Sequence, residues 1–171
     1  MKEKTDKQIV IEKDSREPSD KYNFYHYPDV FRVNGHPLIT KLEVGDYSIM
    51  SYEKEFTIER KTLSDLIGSF STARKERQEQ GVPDHRQNFR EMWERSKGYS
   101  HKFLMTEGCF TDILEKNYRA DFNPNSLIAS LLSWQIKYNF NWFFVSNEAE
   151  GQKAVYYLCK EFLRLKTEGK I

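Results

Sequence analysis

Asp46, Glu59 and Lys61 combine residue types and spacing that could do hydrolytic chemistry on a phosphodiester. Asp46 follows Gly45, and twelve residues separate it from the triplet Glu59-Arg60-Lys61. On a strand, side chains alternate faces, so Glu59 and Lys61 project together while Ile58 and Arg60 project the other way. Two carboxylates hold a hard divalent cation through oxygen. Such an ion polarises a phosphate and activates a water. A neighbouring lysine orients that water or stabilises the charge that develops. A Glu-x-Lys triplet alone says little, because a second one, Glu168-Gly169-Lys170, stands in a polar tail. The plainer alternatives are a solvated strand face with a cross-strand ion pair for Glu59 and Lys61, and an ordinary turn aspartate for Asp46. All three on neighbouring strands favour the catalytic reading.

The elements that must position them follow from patterning. Ile9-Val10-Ile11 is a β-branched run that predicts a buried strand ending at Asp14-Ser15-Arg16-Glu17-Pro18. In a mixed sheet this strand end falls beside the same pocket and would bring Asp14 and Glu17 to it. The alternative is a loop in which Asp14 makes a local turn and Arg16 is the ion-pair partner. Residues 19–37 predict a loop or short helix. Leu38 to Val44, Tyr47 to Met50 and Phe56 to Arg60 predict three more strands, the last two joined as a hairpin through Ser51 to Glu55.

Thr62 predicts a helix N-cap, with Asp65 in the capping-box position and Leu63, Leu66, Ile67 and Phe70 on the apolar face. Residues 71–100 are strongly charged and hold a helical piece around Phe89, Met92 and Trp93. Phe103 to Met105 predicts a strand ending at Glu107-Gly108. Asn123-Pro124 starts a helix through Ile136, Trp142 to Val145 is another strand, and Asn147 with Glu150 caps a last helix through Leu165. Strands first, then helices alternating with strands, imply an α/β domain with a mixed central sheet flanked by helices.

Composition narrows the class. The 171 residues suit one domain, taken as 8–171 after a flexible tail at 1–7. Net charge is +1, so any nucleic-acid surface must be local. Cys109 and Cys159 form neither a disulfide framework nor a zinc motif, His26, His36, His85 and His101 lack ligand spacing, and there is no P-loop. No secretory signal or membrane-spanning run is legible, which predicts an intracellular protein of the cytoplasm, nucleoid or nucleus with no membrane partner.

The ordered set Asp14-Ser15-Arg16-Glu17, Gly45-Asp46-Tyr47 and Glu59-Arg60-Lys61-x3-Asp65-Leu66 resembles the XPF-type nuclease domain of the restriction-endonuclease-like superfamily, across roughly residues 8–165. The resemblance implies a Mg²⁺- or Mn²⁺-dependent DNA endonuclease acting on branched or flap DNA in repair or recombination. It makes Asp46 and Glu59 metal ligands and Lys61 the catalytic lysine. Asp14, taken with them as a ligand, and Glu17 complete the acidic pocket, and Arg60 and Asp65 occupy motif positions of structural or DNA-facing role. The alternative within that fold is a catalytically silent DNA-binding or dimerisation partner.

Two departures from the family stand out. No helix-hairpin-helix signature follows the nuclease motifs, and residues 71–100 are longer than the family's usual link. Between 74 and 102 there are eight basic residues against five acidic ones, and Arg74 and Arg77 are the expected DNA contacts. With no hairpin module, affinity is expected to come from a homodimer or from a separate DNA-binding protein. The homodimer would form through the helices at 124–138 and 147–165, whose Trp134, Tyr138, Tyr156 and Tyr157 exceed what one core face uses.

Overall fold

Phe56 and Ile58 on one side of a strand and Glu59 and Lys61 on the other set an apolar face against a reactive one, and the strand lies at the centre of the sheet. The computed structural model describes residues 8–70 and 85–171. Along the chain these form β1 (Ile11–Asp14), β2 (Leu38–Thr40), β3 (Tyr47–Ile49), β4 (Phe56–Thr62) and α1 (Leu63–Phe70). Then come α2 (His85–Arg95), a 3₁₀ turn (Ser96–Gly98), β5 (His101–Glu107), α3 (Phe110–Leu114), α4 (Pro124–Tyr138), β6 (Asn141–Val145) and α5 (Glu148–Thr167). The six strands form one sheet in the order β2-β1-β3-β4-β5-β6. β3 is antiparallel to β1 and β4, and the other neighbours are parallel. This is the mixed α/β sheet flanked by helices that the patterning predicts.

Each face buries its own core. On one, Tyr47, Ile49, Ile58 and Met105 pack with Val155, Cys159 and Phe162 of α5 and with Tyr22, Phe24 and Val30 of the 19–37 loop. On the other, Leu104 packs with Leu66, Ile67 and Phe70 of α1, Phe89 and Trp93 of α2, and Leu127 and Leu131 of α4. Parallel strands so covered carry apolar side chains on both faces.

Caps form where the sequence places them. The Thr62 hydroxyl donates to Asp65 Oδ2 at 2.7 Å and accepts from the Asp65 N–H at 3.2 Å. Asn123 and Asn147 accept from the N–H groups of Ser126 and Glu150. Several bounds differ from expectation. β1 starts two residues later than Ile9 and runs through Glu12, Lys13 and Asp14, all buried. β2 stops at Thr40 instead of continuing to Val44, because the Leu42 amide is bound by Asp14 Oδ2 at 2.7 Å and its carbonyl by Arg16 at 3.1 Å. The 19–37 stretch is loop apart from isolated bridges at Val30, Val33 and His36, and α3 was not foreseen. The 1–7 tail lies outside the described residues. Among the described residues no helix is long and apolar enough to cross a membrane.

Candidate active site

Gly45 makes the turn that aims Asp46. Its φ is +74°, and a Cβ there would sit 2.2 Å from Thr57 Oγ1 and 2.9 Å from the Ile58 carbonyl oxygen, so both conformation and space demand glycine. Thr57 Oγ1 in turn donates to the Val44 carbonyl at 2.9 Å. The Asp46 amide donates to Ile58 O at 2.9 Å, and its carbonyl accepts from the Asp14 amide at 2.8 Å. Asp46 Oδ2 then accepts from the Arg60 amide at 2.7 Å. The turn is thus tied to both neighbouring strands, and Asp46 is delivered beside Glu59.

Glu59 and Lys61 leave β4 on the same face, with Lys61 Nζ 3.2 Å from Glu59 Oε1. Asp46, Glu59 and Lys61 line one cavity of about 750 Å³, closed by Ser69 of α1 and by Phe89 and Met92 of α2. The Lys61 ammonium stands over the Phe89 ring, 4.8 Å from its centroid. Burial first, and then the negative charges of Glu59 and Glu17, raise Asp46 well above the ordinary aspartate range. Among the described residues no three His, Cys, Asp or Glu side chains converge on one point. Two oxygen-donor carboxylates facing an open cavity nevertheless suit Mg²⁺, which keeps several waters and takes one or two carboxylates.

A cavity of equal volume lies between Ile9, Tyr52 and α5. Its charged groups are already satisfied: Asp29 by Tyr156 and Lys160, and Glu168 by Arg164. It offers no converging reactive set.

The remaining expected site residues separate into other roles. Asp14 does not line the catalytic cavity. Its fully buried carboxylate accepts from the Arg16 amide at 2.8 Å, from the Arg16 guanidinium at 2.6 and 3.0 Å and from the Leu42 amide at 2.7 Å. Burial alone would raise its pKa, but these bonds prevail and hold it below the usual value. With its oxygens so taken, Asp14 braces the loop leading to Asp46 rather than reaching the pocket as the expected metal ligand.

Arg60 points to the opposite face. It makes two bonds to Glu107, at 2.8 and 2.7 Å, and one to Glu17 at 3.0 Å. Glu17, raised by burial against the pull of Arg60, also accepts from Tyr47 at 3.2 Å. Tyr22 donates to Glu107 beneath the guanidinium. Arg60 and Glu17 therefore belong to a buried network behind the site, not to a DNA-facing surface or to the pocket lining. Asp65 is exposed and engaged in its cap. Arg74 and Arg77 lie outside the described residues.

Sequence reasoning missed Glu43, Asn88, Glu91 and Arg95, which also line the cavity. Glu43 is exposed between buried Leu42 and Val44, an alternation visible in the sequence. The residues from α2 had no such local signal, because only the fold brings that helix over Lys61. Of the aromatic residues expected at a dimer surface, Trp134 packs on Phe70 and Phe89, while Tyr138 and Tyr156 are buried. Only Tyr157 is half-exposed. The surplus of aromatic residues is used inside the chain.

A mixed sheet with helices on both faces, carrying Glu59 and Lys61 on one strand and Asp46 at the turn before its neighbour, has the restriction-endonuclease-like α/β fold. The ERCC4 domain model matches residues 13–158, and the chain belongs to that family. Among solved structures it is similar to XPF from Aeropyrum pernix, at 20% identity and a TM-score of 0.62 over 88% of this chain and 59% of that one. It is also similar to XPF from Aeropyrum pernix in complex with DNA, at 18% identity and a TM-score of 0.60 over 93% of this chain and 65% of that one. The chain thus spans about three fifths of the length of these structures. No curated protein gives a significant match.

Proposed function

We propose that the chain is a Mg²⁺- or Mn²⁺-dependent DNA endonuclease that hydrolyses phosphodiester bonds in branched or flap-bearing DNA. The convergence of Asp46, Glu59 and Lys61 on one cavity carries this reading, and the family's DNA-bound relative agrees with it. Asp46 and Glu59 would hold the cation, whose chemistry when bound is to polarise the phosphate and make a water nucleophilic. The Arg60 amide keeps the Asp46 carboxylate facing Glu59. Lys61, steered by Glu59 and Phe89, is placed to orient the attacking water or to stabilise the charge that develops on phosphate oxygens. Arg95, exposed beside the cavity, would supply positive charge for the DNA backbone.

The test incubates purified chain with linear duplex, flap, fork and four-way-junction DNA, in Mg²⁺, in Mn²⁺ and after exhaustive EDTA. Cutting of branched substrates that requires the ion and is lost in Glu59→Gln is expected. Cutting that survives EDTA overturns the metal requirement. DNA binding without any cutting identifies the chain as a silent binding partner of the same fold.

A further inference from the structure

We propose that Tyr22 is a positioning residue for Asp46, reaching it from the opposite face of the sheet by two routes, and that Gly151 of α5 is the gap that admits its hydroxyl. The inference deepens the nuclease reading and rests on it, since it takes Asp46 as the ligand whose aim matters.

The first route runs through Arg60. The Tyr22 hydroxyl donates to Glu107 Oε1, the same oxygen that accepts from Arg60 Nε at 2.8 Å. The Tyr22 ring also lies under the guanidinium, with Arg60 Cζ 5.4 Å from its centroid. Burial would raise Glu107, but the bonds from Arg60 and Tyr22 prevail and hold it below the usual carboxylate value. Tyr22 thus touches both partners of the ion pair behind the site. Arg60 carries the restraint to the other face, where its amide donates to Asp46 Oδ2.

The second route runs through Tyr47, the residue that follows Asp46. The Tyr22 ring stacks on Tyr47, with 5.2 Å between centroids and 22° between planes. Tyr47 in turn donates to Glu17, which also accepts from Arg60. The neighbour of Asp46 in sequence and the residue whose amide binds its carboxylate therefore both rest on one side chain.

Tyr22 is held there against local preference. Its φ is +46° and that of Phe24 is +56°, a region that bulky residues rarely adopt and that persists only where the surroundings enforce it. Lys13 of β1 donates to the carbonyls of Ser19 and Lys21. At the start of α5, Glu148 pairs with Lys21, and Gln152 accepts from the Phe24 amide at 2.7 Å. Gly151 lies between these two contacts. A Cβ there would overlap the Tyr22 hydroxyl oxygen and stand 2.8 Å from Tyr22 Cζ. Glycine weakens a helix relative to alanine, and the close approach of this ring accounts for its place in α5. A ring that only filled the core would need no glycine opposite its hydroxyl.

The test uses the whole chain with Tyr22→Phe, which deletes only the hydroxyl, and separately with Gly151→Ala, which displaces the ring. The Arg60 amide is followed by proton–nitrogen NMR. In both variants its proton signal should move upfield and its exchange with deuterium should quicken, as the bond to Asp46 loosens. Mn²⁺ affinity, read by electron paramagnetic resonance, should fall at least about tenfold, the scale on which groups behind a metal ligand act. With DNA, kcat should fall while KM stays near the native value. Phe162→Leu disturbs the same core away from Arg60, so it should lower the melting temperature and leave the Arg60 amide in place. The proposal fails if that amide keeps its native position in both Tyr22→Phe and Gly151→Ala, or if Phe162→Leu moves it as far. It fails likewise if Gly151→Ala melts above the native chain, as helix propensity alone would have it. A native chain that neither binds Mn²⁺ nor cuts DNA defeats the nuclease reading instead, and the Arg60 amide still decides whether Tyr22 aims Asp46.

Discussion

The Arg60 amide donates to Asp46 Oδ2 at 2.7 Å, so the residue that separates Glu59 from Lys61 also fixes the third member of the site. One peptide unit of β4 therefore sets the mutual placement of all three. Its side chain, clamped by Glu107 and Glu17 on the other sheet face, holds that peptide unit in turn. The sheet separates the two halves of the device: reactive groups on one side, a buried ion-pair network on the other.

The first prediction concerns stability and charge at Asp46. Because its folded-state pKa is raised, the native chain holds this proton more tightly than the unfolded chain does. The penalty is absent below the ordinary aspartate value of about 3.9. It grows as pH rises from there towards the folded value, above which it is complete. Asp46→Asn keeps an acceptor for the Arg60 amide and removes the charge. In EDTA at neutral pH it should melt above the native chain, by ~2–4 °C for each kcal/mol relieved. If Mg²⁺ binds as proposed and stabilises the native chain, the variant should also lose that stabilisation. Differential scanning calorimetry with and without Mg²⁺ reads both effects, and a lower melting temperature in EDTA would refute charge crowding as the source of the shift.

The second concerns Lys61, which contacts Glu59 and Phe89 but is not among the proposed ligands. Lys61→Met keeps the length and most of the ring contact. Turnover should fall by roughly 10²–10³, the scale of losing one group that stabilises developing charge. Mn²⁺ affinity should change little in a calorimetric titration. An equal loss of metal binding would show that the lysine positions Glu59 rather than serving the reaction.

The third concerns the network behind the site. The Arg60 and Glu107 side chains are about nine-tenths buried, so removing one partner strands the other in a poorly solvated place. Arg60→Met and Glu107→Gln should each cost about 2–5 kcal/mol in urea unfolding. The double variant should cost less than their sum by at least about 1 kcal/mol, since the two share one interaction. Additive losses would mean that Glu17 and Tyr22 carry the clamp instead.

The motif residues were legible because their chemistry is local. Gly45 is dictated by one backbone angle and one close approach, and Glu59 and Lys61 share a face through strand alternation alone. Burial of charge was not legible. Glu12-Lys13-Asp14 reads as the polar end of a strand, yet it lies inside β1. Lys13 is fully buried there and donates to the carbonyls of Ser19 and Lys21. The buried base is tolerated because the loop that follows the strand folds back to supply acceptors. Asp14 misled for the same reason, since a carboxylate spent on Leu42 and Arg16 looks in sequence like one free for a metal. Residues on α2 reach the cavity through tertiary packing, which no spacing rule along the chain reports.

The last prediction concerns self-association. Trp134, Tyr138 and Tyr156 are occupied within the chain, so they cannot drive a dimer. The apolar groups left on α4 are Leu132 at 46% and Ile136 at 83% exposure, one helical turn apart on a common face. Tyr157 on α5 is 50% exposed. If copies pair, these residues should form the centre of contact, because fully desolvated apolar anchors dominate interface energetics. Ile136→Asp places a charge there without touching either core, so it should leave the melting temperature of the monomer nearly unchanged and abolish any dimer. Pairing also doubles the phosphate contacts available to DNA, whose affinity falls with salt in proportion to their number. The dimer-breaking variant should accordingly bind branched DNA more weakly and with a shallower salt dependence. Multi-angle light scattering during gel filtration, at tens of micromolar by the general scale of weak complexes, together with DNA titrations at two salt concentrations, measures both. A native chain that stays strictly monomeric yet binds branched DNA tightly at physiological salt would reject pairing and the argument from phosphate count together.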